Sequence, residues 1–337
     1  MQDLSPTDYR VHKRGIIVDA LVRAGLSNSI VEDVVAVTPR TRRRASFKVA
    51  KSNGKTLIGF HAAKSHDIID MHECLVLTPT LFALVAPLRE MMDALLHDGE
   101  KAELHVTEAD NGFDVSLRWP RKTTPAIIAE IAKRAATMNL ARVTSDGDTL
   151  VELAAPIIRI GKAGIKLPAE AFLQSTREGE AALQSLVMES LAGAKNVADL
   201  FAGCGTFTLK LAERARVHAV ELDTQMLNAL SAAARAASGL KPVTAEKRDL
   251  FKQPLSPLEL NGFDAILLDP PRVGASAQVN RILQSRVKRV AYVSCNAASF
   301  ARDAHMLVES GFRMGPVTPV DQFLWSEHIE LFAAFGR

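Results

Sequence analysis

Cys295 is the side chain in this sequence best suited to covalent chemistry. It follows the apolar run 290–293, which is typical of a strand, and a helical pattern begins immediately after it. A thiol at this junction would stand at the carboxyl end of a strand, where open α/β sheets place ligands and reacting groups. The alternative is a small core residue, because free cysteines are commonly buried.

Two carboxylates are candidate partners for that thiol. The motif LLDPPR at 267–272 ends an apolar strand pattern at Asp269, and its prolines force the chain out of the sheet. Asp269 and Cys295 are one strand–helix–strand unit apart, so both should open onto one crevice, although a rigid surface loop with a capping Asp is the alternative. Glu330 lies inside the last apolar segment, 328–335, where an unpaired acid is costly. It is either a salt-bridge partner or a general base.

A glycine-containing turn precedes these groups in the chain. Gly203 and Gly205 follow a predicted strand at 196–201, and glycines let the backbone approach a ligand closely. Glu221 ends the next predicted strand, near the roughly 20-residue spacing at which such an acid binds ribose hydroxyls. The loop is shorter than the dinucleotide motif, so a nucleoside without phosphates fits better. This pattern indicates S-adenosylmethionine, and Asp249, after a third strand-like stretch, is placed to meet its adenine end.

A thiol, carboxylates and a methyl donor in one crevice suit one reaction in particular. Carbon 5 of a pyrimidine is a weak nucleophile, but a thiolate that adds to carbon 6 converts the ring to an enolate whose carbon 5 can accept a methyl group. A base must then remove the carbon 5 proton before the thiol can leave. A stacked base is out of reach, so the target must be flipped out or single-stranded.

The elements that must position these groups form two predicted domains. Residues 171–337 alternate strands and helices regularly, which predicts an α/β fold with a doubly wound, Rossmann-like parallel sheet. Residues 1–170 read as an α+β domain. Its hairpins should turn at 52–54 and 110–112, and its helices should cover 9–24, 79–97 and 125–138, with a strand at 149–160.

Composition excludes several classes of protein. The chain has 337 residues, of which 47% are hydrophobic and 23% charged, as in ordinary globular proteins. Its three cysteines form no C-x-x-C pair, so we expect no metal site. A secretory signal and a long apolar run are both missing from the sequence, so we expect a cytoplasmic protein without membrane contact.

The charge is unevenly placed along the chain. Net charge is only +3, but residues 40–55 hold seven Lys and Arg residues and no acid. This segment is either a solvated strand face or a positive face that follows nucleic-acid phosphates. On the second interpretation, Arg42, Arg43 and Arg44 contact the substrate.

Four ordered motifs resemble the S-adenosylmethionine-dependent RNA uracil-5-methyltransferases, the group that contains the 5-methyluridine enzymes of tRNA and 23S rRNA. The motifs are DLFAGCGTF at 199–207, LLDPPR at 267–272, YVSCNAASFARD at 292–303 and DQFLWSEHIEL at 321–331, and FLQ at 172–174 resembles a further cofactor element. The resemblance implies a class I methyltransferase fold, Cys295 as nucleophile and Glu330 as proton acceptor. The predicted cofactor contacts, which include the two glycines of the turn, are Gln174, Phe201, Gly203, Gly205, Thr206, Glu221, Asp249 and Asp269. Arg272 is expected on the substrate side.

The chain also departs from that family. Many members begin with a small β-barrel RNA-binding domain, and we expect none here. Many hold a 4Fe–4S cluster on four cysteines, but only Cys74 matches one of those positions, so we expect no iron–sulfur cluster. Residues 324–327 differ from the family's usual residues, and Glu327 competes with Glu330 for the role of base.

We therefore predict an RNA methyltransferase that makes 5-methyluridine, in rRNA rather than tRNA, with no obligate protein partner evident. Two alternatives remain. One is a methyltransferase that acts on another base position, and the other is an RNA-binding homologue without activity.

Overall fold

The computed structural model describes residues 1–62 and 65–337 and contains two large β-sheets with helices packed on them. The helices are α1 Pro6–Arg23, α2 Pro79–Ala83, α3 Val85–Leu95, α4 Pro125–Ala135, α5 Arg177–Ser190, α6 Thr208–Leu211, α7 Thr224–Ala236, α8 Pro257–Leu260, α9 Ser276–Leu283 and α10 Ala297–Glu309. The strands are β1 Val35–Ala36, β2 Arg44–Ser52, β3 Lys55–His61, β4 Ile68–Asp70, β5 Lys101–Ala109, β6 Gly112–Arg118, β7 Leu140–Ser145, β8 Asp148–Glu152, β9 Ile157–Ile160, β10 Ala163–Lys166, β11 Asn196–Leu200, β12 Arg216–Glu221, β13 Val243–Lys247, β14 Ala265–Leu268, β15 Arg289–Ser294, β16 Arg313–Met314, β17 Thr318–Asp321 and β18 Glu330–Gly336. None of the helices in these ranges is both long and apolar enough to cross a membrane.

The larger sheet confirms the predicted doubly wound fold. Its strand order is β1-β17-β18-β15-β14-β11-β12-β13, with β16 beside β18. Strands β11 to β15 are parallel, and β18 returns antiparallel between β15 and β17. The order reverses between β11 and β14, and a crevice opens at such a switch point beyond the carboxyl ends of the strands. The glycine turn and the LLDPPR motif both end at this crevice.

The second sheet has the order β4-β3-β2-β5-β6-β7-β8 and confirms both predicted hairpins. Asn53 and Gly54 have φ values of 51° and 70°, as a two-residue hairpin turn of this handedness requires. The predicted helix 79–97 is wrong as one element, because it divides at Leu84 into α2 and α3. Pro87 lacks the N–H that would bond to Ala83, so a continuous helix loses a bond there.

One further predicted element is divided in the structure. The strand predicted at 149–160 is two strands, β8 and β9, because the chain leaves the sheet before Pro156, which has no N–H to donate. The glycine turn is followed by α6, a helix of a single turn. The predicted boundary near residue 170 stays a prediction. Helix α1 and strand β1, although early in the chain, pack on the larger sheet, where Val35 pairs with Val320 and Ile17 is fully buried.

The structure corrects the expectation that Arg43 belongs to an exposed face for RNA, whereas substrate contact by Arg42 and Arg44 stays a prediction. Arg43 is 1% exposed, and its Nη2 lies 2.6 Å from Glu180 Oε2. Arg44 is half-buried and donates from Nη1 to the Leu173 carbonyl at 2.6 Å. Half-buried Arg42 donates to the Arg44 carbonyl. The guanidinium groups of Arg43 and Arg44 therefore join the start of β2 to residues 173–180, and their positive charges make internal contacts.

Replacing Arg43 with Ala should destabilise the fold strongly. The change leaves the Glu180 carboxylate buried without its cation, which typically costs about 3–5 kcal/mol. Exposed Arg10 on α1 is the control, and Arg10→Ala should stay within about 0.5 kcal/mol of the wild type. Urea denaturation measures both free energies of unfolding. Equal stability of the two variants would contradict a structural role for Arg43.

Candidate active site

A cavity of about 490 Å³ lies at the carboxyl ends of β11, β12, β14 and β15. This volume is in the range of small-molecule sites in proteins. The cavity collects ten of the residues that the sequence singled out. They are Gln174, Phe201, Gly203, Thr206, Glu221, Asp249, Asp269, Arg272, Cys295 and Glu330.

The turn after β11 holds the Glu221 carboxylate in one orientation. The Phe201 backbone has a φ of 66°, unusual outside glycine, and its N–H donates to the Val220 carbonyl at 2.9 Å. The Gly203 N–H then donates to Glu221 Oε2 at 2.9 Å, and Oε1 accepts from the Leu222 N–H at 2.7 Å. A carboxylate fixed in this way is prepared to accept ribose hydroxyls.

Gly205 does not line the cavity, and its predicted contact with the cofactor stays a prediction. Its φ is 98°, and a Cβ atom there would stand 2.9 Å from the Leu230 Cγ atom. Close packing between the turn and α7 therefore requires glycine at this position. A sequence pattern cannot separate a glycine kept for packing from one kept for a ligand, because both lack the same atom.

The cavity suits a positively charged nucleoside. Its lining contains five acidic side chains, three besides Asp269 and Glu330, against two arginines, Arg248 and Arg272. Arg248 is already paired with Glu246 at 2.6 Å and with Glu259 at 2.7 Å. The rings of Phe201 and Phe251 lie 5.5 Å apart at their centroids, tilted by 47° against each other, and give the cavity an apolar wall on which a base can pack. S-adenosylmethionine carries a sulfonium cation and no phosphate, so this charge and shape fit it.

Removal of the Glu221 charge tests the predicted contact with the ribose hydroxyls without any RNA. Glu221→Gln keeps one oxygen for the turn but loses a charged acceptor, so binding of S-adenosylhomocysteine should weaken by about tenfold to a hundredfold. Calorimetry on the isolated protein measures the affinity. Exposed Glu309, at the end of α10, provides the control, since Glu309→Gln should bind like the wild type. Unchanged binding by Glu221→Gln would place the nucleoside elsewhere.

Cys295 and Glu330 meet where strands β15 and β18 begin their pairing. Ser294 pairs with Leu331, so the next position along each strand brings Cys295 beside Glu330. Burial, together with the charges of Glu330 and Asp269, raises the pKa of the Cys295 thiol to about 11, against a lowering effect of Arg272. The thiol therefore needs fewer negative charges around it, or more positive ones, before it becomes a thiolate.

The two carboxylates are themselves poised to hold protons. Burial raises the pKa of Glu330 to about 7, and a hydrogen bond with Gln322 and the charge of Arg272 oppose that rise. Burial, then the charges of Glu330 and Asp199, raise the pKa of Asp269 well above its ordinary value. A carboxyl group with a pKa near 7 can take up and release a proton under neutral conditions.

Glu327, the competing candidate for the base, lies outside the cavity. Its side chain is 75% exposed and stands 3.8 Å from His12 Nε2, whereas Glu330 is 2% exposed and lines the cavity. This placement favours Glu330 as the carboxylate that can meet a substrate beside Cys295.

The raised pKa of Glu330 predicts a measurable cost in stability. Between the ordinary value of 4.5 and about 7, the folded carboxyl keeps a proton that the unfolded chain has lost. Stability from this group is therefore present at low pH and is lost as pH rises through about 7. Glu330→Gln cannot ionise, so it should stabilise the protein at pH 8 by up to about 3 kcal/mol. Urea denaturation at pH 4.5 and pH 8 measures the free energy of unfolding of the variant relative to the wild type. The gain in stability should nearly vanish at pH 4.5. The control variant Glu327→Gln should show no such gain at either pH.

Sequence reasoning missed several residues that shape this site. Buried Gln322 donates from Nε2 to Gln174 Oε1 at 2.5 Å, and the His328 ring lies 3.2 Å from Arg272 Nη2 through its Nε2 atom. The sequence signal that could have identified His328 is its position two residues before Glu330, because alternate residues of an extended chain share a face.

The loop between β17 and β18, residues 322–329, is held by the first helix. The ammonium group of Lys13 is buried and lies 2.9 Å from Asp321 Oδ1 and 2.6 Å from the His328 carbonyl. The Tyr9 hydroxyl donates to the other Asp321 oxygen and accepts from the Trp325 N–H at 2.8 Å. Helix α1 is thus part of the support for the cavity, although it comes from the other end of the chain.

Comparisons with known proteins give a consistent result. The family described as tRNA (Uracil-5-)-methyltransferase matches residues 163–334. An uncharacterised RNA methyltransferase of Rhizobium meliloti (strain 1021) is 40% identical over 337 residues, which cover 100% of this chain and 81% of that protein. The 23S rRNA (uracil(1939)-C(5))-methyltransferase RlmD of Pectobacterium atrosepticum is 31% identical over 90% of this chain and 69% of its own length.

A solved structure extends the likeness to the whole fold. The tRNA (uracil-54, C5)-methyltransferase of Pyrococcus abyssi, in complex with S-adenosyl-L-homocysteine, superposes with a TM-score of 0.77. The match covers 99% of this chain and 84% of that one at 20% sequence identity, so it supports the architecture.

Proposed function

Because the chain belongs to the tRNA (uracil-5-)-methyltransferase family of RNA methyltransferases, we propose that it methylates carbon 5 of a uridine in ribosomal RNA through a covalent cysteine adduct. One observation carries the proposal. A single cavity brings Cys295, Glu330, Asp269 and Arg272 together with the residues suited to hold a cationic nucleoside. The family alone does not require that these side chains converge in this chain.

The residues of the cavity divide the reaction between them. S-adenosylmethionine supplies the methyl group when it is bound. After loss of the thiol proton, Cys295 adds as a thiolate through sulfur to carbon 6, which breaks the C5–C6 double bond and moves the negative charge onto the ring as an enolate. Arg272 is the cation beside the thiol that favours its ionised form. Once carbon 5 carries the methyl group, Glu330 removes its proton, the double bond re-forms and the thiolate leaves.

The target uridine must leave its stack to reach this site. Cys295 is half-buried and Glu330 almost fully buried, so neither can touch a base that remains inside a helix. We further propose that residues 171–337 form the catalytic domain and that residues 1–170 help to present the RNA. Helix α1 is an exception within that second region, because it is docked on the catalytic sheet.

Ribosomal RNA is favoured over tRNA by the named relatives. The relative that acts on 23S rRNA is 31% identical to this chain, whereas the tRNA enzyme of known structure is 20% identical and supports the fold alone. We therefore propose 23S rRNA as the substrate and the region of position 1939 as the first to test.

Analysis of methylated nucleosides tests this function directly. Purified protein and S-adenosylmethionine are incubated with 23S rRNA transcripts or with tRNA transcripts, and the RNA is digested and examined by mass spectrometry. We expect 5-methyluridine in the 23S transcript only. A methyl group on cytosine or on a base nitrogen would replace the proposal with another base specificity. RNA binding without any methylated nucleoside would favour a non-catalytic RNA-binding protein.

A further inference from the structure

A basic cleft lies at the edge of the larger sheet opposite the active site. Its volume is about 860 Å³, and it opens at the amino ends of β11, β14 and β15. Its charged lining comprises Lys195, Arg286, Lys288, Arg289, Arg313, Arg337 and Asp264. Strand β15 separates the two edges, and its six residues span about 20 Å.

The sheet assembles this cleft from separate parts of the chain. Arg289 on β15 and Arg313 on β16 both pair with Gly336, which lies between them on β18. A Cβ atom at Gly336 would approach only the Lys288 carbonyl, at 3.9 Å, so the floor between the two arginines is open. Lys195 joins them from the start of β11. The register of three strands therefore concentrates charge that the sequence spreads over more than 100 positions.

The cations of the cleft fall into two groups. Two are anchored to backbone carbonyls, Arg289 to Ala192 at 2.8 Å and Arg337 to Ser285 at 2.5 Å. The others are exposed, and within residues 1–62 and 65–337 their charged groups make no hydrogen bond or ion pair. They are Lys195, Arg286, Lys288 and Arg313.

The single acid of the cleft does little to neutralise these charges. Asp264 Oδ2 already accepts the backbone N–H groups of Lys195 at 2.8 Å and Asn196 at 3.0 Å. Six cations thus face the cleft against one internally bonded carboxylate. A concave surface with this balance attracts a polyanion, and long flexible cations suit phosphates spaced along a backbone.

We propose that this cleft binds the phosphate backbone of the substrate RNA at a segment remote from the target uridine. The identity of the polyanion rests on the proposed RNA methyltransferase function, whereas the charge and shape of the cleft do not. An RNA that fills the active site and also reaches the opposite edge must wrap around the catalytic sheet, as a large folded rRNA can. The cleft would therefore select for long structured RNA and contribute nothing to a short stem–loop.

The test compares two matched triple variants. One removes cleft charge as Arg286→Ala, Lys288→Ala and Arg313→Ala. The control removes the same charge elsewhere as Arg214→Ala, Arg235→Ala and Lys241→Ala, at exposed positions within residues 171–337 that line neither the cleft nor the active-site cavity. RNA binding is measured by fluorescence anisotropy from 50 to 300 mM KCl, with a 23S rRNA domain transcript and with a short stem–loop that carries the target uridine. Thermal unfolding and S-adenosylhomocysteine binding verify that both proteins are folded.

We expect the cleft variant to bind the long transcript roughly tenfold or more weakly at low salt, with a plot of log affinity against log salt that is shallower by about three. The short stem–loop should bind all three proteins alike. An unchanged salt slope with the long transcript would overturn the proposal, and so would an equal loss in the control variant. Because binding is measured apart from methyl transfer, a wild type that binds RNA but methylates none would reject the proposed function and leave the cleft test intact.

Discussion

RNA with 5-fluorouridine at the target position is expected to form a denaturation-resistant adduct with the wild-type protein and none with Cys295→Ala. Fluorine at carbon 5 cannot leave as a proton does, so the bond between sulfur and carbon 6 persists once the ring has been methylated. In the same variant, methyl transfer to ordinary RNA should fall by at least about 10³-fold, because the nucleophile is lost outright. A shift of the protein band on a denaturing gel measures the adduct.

Cys74→Ala is the matched control for that experiment. Cys74 has intermediate exposure like Cys295, but it packs on the core of the N-terminal sheet and does not line the cavity. The Cys74→Ala variant should form as much adduct as the wild type. An adduct that survives in Cys295→Ala would move the nucleophile to another residue. Complete lack of adduct in the wild type, despite measurable RNA binding, would point to another methyl acceptor or to a protein without activity.

Glu330→Gln is expected to trap a covalent complex with ordinary uridine RNA. Gln has the size of Glu and can keep the contact with Gln322, but it cannot accept the carbon 5 proton. Addition and methylation should then proceed while release of the thiol stalls, so turnover should drop by about 10²–10⁴-fold. Mass spectrometry of the protease-digested complex should find methylated RNA joined to the peptide that contains Cys295.

Glu327→Gln separates the two candidate bases. Glu327 is three residues earlier in the same segment, and its exposed side chain lies near His12 rather than in the cavity. This variant should turn over like the wild type and accumulate no complex. If Glu327→Gln trapped the complex and Glu330→Gln did not, the loop would have to rearrange around bound RNA and the assignment of the base would change.

The sequence was sufficient to predict that several key groups converge at the candidate active site. Asp269, Cys295 and the glycine turn each follow an apolar strand, and the carboxyl ends of parallel strands share one edge of a sheet. Their approach therefore follows from local patterns and from a general rule of topology. Glu330 could be placed by its position in the last strand, although its pairing beside Cys295 depends on the antiparallel register of β18.

Only the tertiary structure decided where the positive charge of the protein acts. The densest basic segment of the sequence contains Arg43, which folding buries against Glu180. The cleft combines Lys195, Lys288 and Arg313, which are far apart in the chain and look unremarkable there. Local sequence sets whether a residue joins a strand or a turn, through hydrophobic periodicity and backbone preferences. The partner of a charged side chain depends on contacts between distant segments, which exist only once the sheets have assembled.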